Sequence, residues 1–307
     1  MMIDRERVIP NILANNIRPQ PPAPRAKNTS KENIYMCGKI LGRVGNAFFN
    51  YASIVGIARA NNMTLYLKDE SVLADVLQNP PTATSAREFD EKCSTALFLP
   101  QPKCCAFYPQ FMQLPKDDHY MVITCLISWR YFENIKAEIK SLLQFRTDVQ
   151  TEAQRIVGKV RSQTKNVTVV GMHIRRGDQS GWIAYLHGHN PVTPEYVSRA
   201  MTYFLQRFPH VHFLVASEDT AWCQQYVGQG SENVTIMEGN SAAVDIAVLT
   251  LTDHMIVSIG TFGWWAGYLN PGIKTYMKGF IGADSDFSGN FDDLNATDYV
   301  YPDWIPL

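Results

Sequence analysis

Short apolar, β-branched runs alternate with segments of helical spacing along most of this chain, and the order of the two predicts the architecture. Val167 to Met172 is a near-continuous apolar run, the mark of a strand buried on both faces of a parallel sheet. A helix over about 151–163 precedes it. A helix near Pro194 to Arg207, strands at 212–217 and 234–237, a helix at 242–252, a strand at 255–260, a helix at 262–269 and a strand at 274–280 follow. Nearer the N-terminus, Ile34 to Ile40 reads as a strand. Val44, Phe48, Tyr51, Val55 and Ala58 then fall at helical spacing, and Met63 to Leu67 reads as the next strand. Together these make a βαβ unit. Residues 69–120, irregular and rich in Pro and Cys, give no order; a strand at 121–126 and a helix near 134–145 come after them. The alternation predicts an α/β protein of two Rossmann-like domains with mainly parallel sheets and a cleft between them: 34–150 and 151–307. No internal repeat is visible.

Residues 1–33, with the Pro-rich patch RPQPPAPR at 18–25, read as an extended, disordered linker or stem without an apolar signal core. The remaining chain is long enough for a sizeable core, with 46% hydrophobic residues. A net charge of −1 gives no electrostatic reason to expect nucleic acid as a partner. No run is long and apolar enough for a membrane-spanning helix. Six cysteines lack metal-ligand spacing, and their pairing stays open. Glycosylation sequons at Asn28, Asn62, Asn166, Asn233 and Asn295 lean towards the secretory pathway.

Candidate chemistry collects at strand ends. HIRRGD (173–178), SED (217–219) and SIGTFGWW (258–265) each end or follow a predicted strand, and Asp245 opens a predicted helix. In open α/β sheets the carboxyl ends of the strands share one rim, where ligands bind. Arg175 and Arg176 offer planar forks of donors that match phosphate oxygens. If the strand continues through them, alternation turns them to opposite faces, so one is expected at a ligand and one in the architecture. Ser258, Thr261, Phe262 and Gly263 mark a strand-to-helix turn, whose free N–H groups suit a phosphate, although no P-loop signature is present. In GRVGN (42–46), Arg43 and Asn46 at a helix start could meet an anion. RGD at 176–178 follows a buried strand too closely to serve as an exposed adhesion loop. ADSD at 283–286 has the Asp-x-Asp spacing of a divalent-cation site, but with Ser288, Gly289, Asn290, Asp292 and Asp293 it reads as a solvated acidic loop.

HIRRGD, together with GRVGNAFFNYASIVGIAR (42–59), FLVASEDTAWC (213–223) and DIAVLTLTDHMIVSIGTFGWWAGYL (245–269), resembles the galactoside α-1,2-fucosyltransferases. The resemblance implies a GT-B-type fold, with an acceptor-side domain at 34–150 and a GDP-fucose-binding domain at 151–307. It implies inverting transfer of L-fucose to the 2-hydroxyl of a terminal β-galactose, with no cofactor and no metal. Arg175, Asp178 and Arg43 would be catalytic. His173, Arg175, Arg176, Asn46, Ser217, Glu218, Asp219, Asp245, Ser258, Thr261, Phe262 and Gly263 would hold the donor. Within that set, Arg175 would meet the β-phosphate and Asp245 the guanine edge. The implied partners are GDP-fucose and a galactose-terminated glycan. The implied place is the Golgi lumen, with membrane attachment only through an anchor absent from this sequence. Asn-Ala-Phe stands where the family more often has Asn-Gln-Met, so the acceptor side is expected to differ. Another acceptor, or sugar-nucleotide binding without turnover, stays open at this point.

Overall fold

Two all-parallel sheets organise the chain. The computed structural model describes residues 34–69, 72–123, 126–176, 190–228, 231–282, 285 and 287–307. The first sheet has the order β2-β1-β4-β3. Its strands are β1 (Tyr35–Ile40), β2 (Thr64–Asp69), β3 (Leu97–Phe98) and β4 (Tyr120–Val122). Between β1 and β2 runs α1 (Val44–Asn61), which is buried on nearly every face. Its sequence is apolar all round, which is what a helix needs when it packs on two sides. Its residue Phe49 sits 4.5 Å from the Trp264 ring and 5.1 Å from the Trp265 ring, side chains from the other end of the chain.

The second sheet has the order β10-β9-β8-β5-β6-β7. Its strands are β5 (Thr168–Ile174), β6 (Val211–Ser217), β7 (Val234–Ile236), β8 (His254–Val257), β9 (Lys274–Tyr276) and β10 (Ile305–Pro306). The central pair β5 and β6 is in register from Thr168 opposite Val211 to Ile174 opposite Ser217. The continuous apolar runs of both strands are accounted for by burial on both faces.

The sequence reading needs several corrections. The unassigned stretch 69–120 contains α2 (Leu73–Val76), α3 (Ala86–Cys93) and β3, with α3 tied to β1 by the Cys37–Cys93 disulfide. That region is stapled rather than patterned, so hydrophobic period says little about it. The expected helix at 134–145 is shorter, α4 (Lys136–Leu142), and α5 (Thr147–Gln163) starts four residues earlier than its apolar spacing suggested. Farther on, α6 (Pro194–Leu205), the short α7 (Thr220–Cys223), α8 (Ala242–Leu251) and α9 (Thr261–Leu269) complete the α-helices among the described residues. The strand expected to run from 274 to 280 stops at Tyr276, ahead of Gly279 at φ 73°. Within 288–293, Gly289 and Asp292 are exposed as a solvated loop requires, but Phe291 is buried and the Asn290 carbonyl accepts from the Cys105 N–H at 2.8 Å.

That last contact belongs to a strap. After β9 the chain crosses back over the first half before ending as β10. Asp298 anchors it, accepting from the Phe107 N–H at 2.9 Å and from the Arg130 guanidinium at 2.8 Å. The Tyr301 hydroxyl donates to Glu133 at 2.7 Å, and Trp129 Nε1 donates to the Thr297 carbonyl at 3.3 Å. Asp298→Ala leaves a part-buried N–H and a guanidinium without their acceptor. It is expected to cost about 1–3 kcal/mol, read as a lower urea midpoint at unchanged slope.

Candidate active site

The rim formed by the carboxyl ends of β5, β6 and β8 faces the start of α1 across a cavity of about 610 Å³. Of the residues expected at a ligand, Arg43, Asn46, His173, Arg175, Ser217, Glu218, Asp245, Thr261 and Phe262 line it. Five separate segments of the sequence therefore converge on one space.

Arg175 follows β5 directly, and three contacts fix its place. Its N–H donates to Ser258 Oγ at 2.9 Å, while the Ser258 N–H donates to the His173 carbonyl at 3.2 Å. Its guanidinium is paired with the Glu218 carboxylate from the end of β6. Only 18% of the Arg175 side chain is exposed, so its charge acts through a partly desolvated medium.

The two arginines divide, although β5 ends at Ile174 and strand alternation does not reach them. Arg176 is absent from the cavity wall. Its Nη1 donates to the Val192 carbonyl at 2.6 Å, its Nε pairs with Asp219 at 3.4 Å, and its guanidinium lies 4.3 Å from the Trp222 ring centre. Asp219 caps α7 by accepting from the Trp222 N–H at 3.1 Å. Ser258 spends its hydroxyl on the Arg175 main chain. Gly263 lies behind His173, where a Cβ would stand 2.4 Å from the imidazole Nδ1. These four positions are not on the cavity wall formed by the described residues, and their contacts hold the rim in shape. Asp178 lies outside the described residues, as do Asp284 and Asp286 of the ADSD stretch.

Two helix N-termini open into the cavity. α1 begins after Arg43 and α9 after Gly260, and neither has a side-chain cap or an acid in its first turn. Their leading N–H groups carry partial positive charge towards the cavity. The helices meet there: Thr261 Oγ1 donates to Asn46 Oδ1 at 2.7 Å, and Gly45 packs against the main chain of Thr261 and Phe262. Gly260 takes φ 87°, a left-handed conformation that suits glycine and turns β8 into α9. The result is a concave centre where Arg43, the Glu218-paired Arg175 and two helix ends turn donors to one space, suited to an anion such as a pyrophosphate.

His173 does not add a charge. Burial, helped by the neighbouring Arg175, pushes its pKa down to about 3, and its Nδ1 has no hydrogen-bond partner among the described residues. The native state thus excludes the imidazolium, whereas the unfolded chain takes up that proton near pH 6.5. Stability from this source is complete above pH 6.5 and falls as the pH drops from 6.5 towards 3, by at most about 1.4 kcal/mol per unit. His173→Gln is expected to flatten that part of the profile, measured as urea midpoints between pH 6.5 and 4. Equal slopes in variant and parent would exclude His173 as the source. Asp245, in the first turn of α8, has its pKa raised by burial, partly offset by the Asn240 amide that donates to it at 3.0 Å.

One wall of the cavity was not legible in the sequence. Ile259, Phe280, Phe287, Asn290, Phe291 and Tyr299 line it, faced by Cys105 and Ile127 from the first half. Phe287 and Phe291, four apart among acidic residues, were the available signal, and the surrounding charge masked it.

A family model described as Glycosyl transferase family 11 matches residues 23–305. Galactoside alpha-(1,2)-fucosyltransferase 2 of Bos taurus is 28% identical over 314 residues, covering 98% of this chain and 85% of that protein. Galactoside alpha-(1,2)-fucosyltransferase 1 of Oryctolagus cuniculus is 28% identical over 276 residues, covering 87% and 71%. Among solved structures, fucosyltransferase NodZ from Bradyrhizobium superposes with a TM-score of 0.53 at 13% identity, covering 78% of this chain and 94% of that one. A variant of Arabidopsis thaliana FUT1 in complex with GDP gives 0.53 at 14%, covering 81% and 71%. At such identities these structures speak for the fold alone, the α/β GT-B type that the resemblance implies. With a family model spanning nearly all of the described chain and its motifs gathered on one rim, the protein belongs to glycosyl transferase family 11.

Proposed function

We propose that this protein transfers L-fucose from GDP-fucose to the 2-hydroxyl of a terminal β-galactose, with inversion and without a metal ion. The observation that carries the reading is the concave centre at Arg175, set between Asp245 and Glu218 on one side and an apolar wall on the other. The names of the relatives supply the transferred sugar, the linkage and the acceptor class. As the glycosidic bond breaks, negative charge grows on the GDP leaving group, and fixed donors that already face that position lower the barrier. Arg175 and Arg43 supply side-chain charge, and the first N–H groups of α1 and α9 supply main-chain donors. Asp245 takes the guanine edge, and Asp178 is the carboxylate assigned to the acceptor proton or to donor positioning.

A Golgi-lumen setting completes the reading. Its supports are the Cys37–Cys93 disulfide and the exposed sequon asparagines Asn62, Asn166 and Asn295. Among the described residues no helix is long and apolar enough to cross a membrane. The test is product analysis: incubation with GDP-fucose and a β-galactoside in EDTA should give a single product, α-linked at the 2-hydroxyl by NMR. A product at another hydroxyl would overturn the acceptor assignment, and a requirement for divalent cation would overturn the metal-free mechanism.

A further inference from the structure

The concave centre accounts for the nucleotide side of the cavity and leaves the opposite wall without a role. The order of the second sheet orients the two sides. Strand β5, with Arg175, lies between β6 and β8, and β9 lies beyond β8. Asp245 and Glu218 stand on the β6 side, whereas Phe280, Phe287 and Phe291 follow β9 in the chain. With the phosphates at Arg175 and the base towards β6, the transferred sugar falls at β8 and β9. The surface there is unusual for a sugar. Phe287 meets Phe291 edge-to-face at 5.1 Å, Phe291 lies 6.1 Å from Phe280, and Ile259 continues the same wall from the end of β8. Its nearby amide, Asn290 Nδ2, is turned to the Phe287 carbonyl at 3.3 Å.

We propose that this apolar wall receives the methyl group at C6 of the donor sugar and selects 6-deoxy donors over those that carry a hydroxyl at C6. The inference rests on the fucosyl-transfer reading. A methyl group seated on phenyl and isoleucine carbons loses contact with water at a gain, whereas a hydroxyl against the same carbons is desolvated and they offer it no hydrogen bond. Such a wall discriminates only moderately, by about 10²-fold at most, because an apolar pocket has no direct way to repel one extra oxygen.

The experiment compares kcat/KM for GDP-fucose and GDP-L-galactose, which differ by that single hydroxyl, on one β-galactoside with the full chain. The parent protein should prefer GDP-fucose by roughly 10–100-fold. Phe287→Ser and Phe291→Tyr should narrow the ratio about tenfold or more by gaining on GDP-L-galactose. Phe287, half-buried, is the safer substitution, since Phe291 is only 4% exposed and supports the core. The Kd for GDP serves as the control that the nucleotide side stays folded. Equal use of both donors by the parent, or an unchanged ratio in variants that still bind GDP, overturns the inference alone. So does a change confined to acceptor KM, which would place the acceptor against this wall. Failure of the parent to turn over either donor while binding GDP would remove the fucosyl-transfer reading, and this inference with it.

Discussion

Arg175→Ala is expected to lower kcat with GDP-fucose by about 10²–10³-fold, the usual cost of removing one preorganised donor aimed at developing charge. The position is constrained from three directions: the Ser258 hydroxyl holds its main chain, Glu218 holds its guanidinium, and Gly260 passes close to its aliphatic stem. Those contacts fix the fork before substrate arrives, so little reorganisation accompanies bond breaking. Arg175→Lys should recover little, because a point charge cannot give two parallel hydrogen bonds to phosphate oxygens. The fall should appear mainly in kcat, since the charge grows during the reaction rather than on binding. An equal loss in GDP affinity with kcat unchanged would assign Arg175 to ground-state binding.

The second large effect is expected at a residue with no chemistry. In Gly45→Ala the new Cβ would stand 2.5 Å from the Phe262 N and 2.6 Å from both the Thr261 carbonyl carbon and Oγ1. Two of these three atoms are main chain, so the start of α9 has to move away from α1. Overpacking of this kind costs about 1–3 kcal/mol. The displacement also separates Thr261 from Asn46 and redirects the N–H groups that face the cavity. A shift near 1 Å in such groups can cost about 10²-fold in rate. Gly158→Ala is the matched control, since a Cβ there meets nothing within 4 Å. Normal activity in Gly45→Ala would mean that the meeting of the two helices is incidental to catalysis.

The second sheet was legible because its central strands β5 and β6 are buried on both faces and helices α5 and α6 are amphipathic, so period and burial agree. The run at 167–172 and the alternation of strand and helix after it both have that origin. The residues at its rim were legible for the opposite reason: Arg175, Ser217 and Asp245 are polar where burial alone would favour apolar side chains. Sequence could not say which of a polar pair would turn inward. Arg175 and Arg176 are chemically identical, and their partners Glu218, Asp219 and Trp222 decide between them. The strap after β9 was hidden because its anchors, such as Asp298 to Phe107 and Arg130, join residues more than 160 positions apart. Its aromatic residues therefore read as part of an acidic loop, although they complete the cavity.

The most direct test of the account is GDP release from GDP-fucose by the full chain, measured in EDTA with and without a terminal β-galactoside, beside Arg175→Ala. The account predicts release that the galactoside stimulates, that survives EDTA, and that falls about 10²–10³-fold in the variant. GDP release that no galactoside stimulates, or that the variant leaves intact, would contradict it.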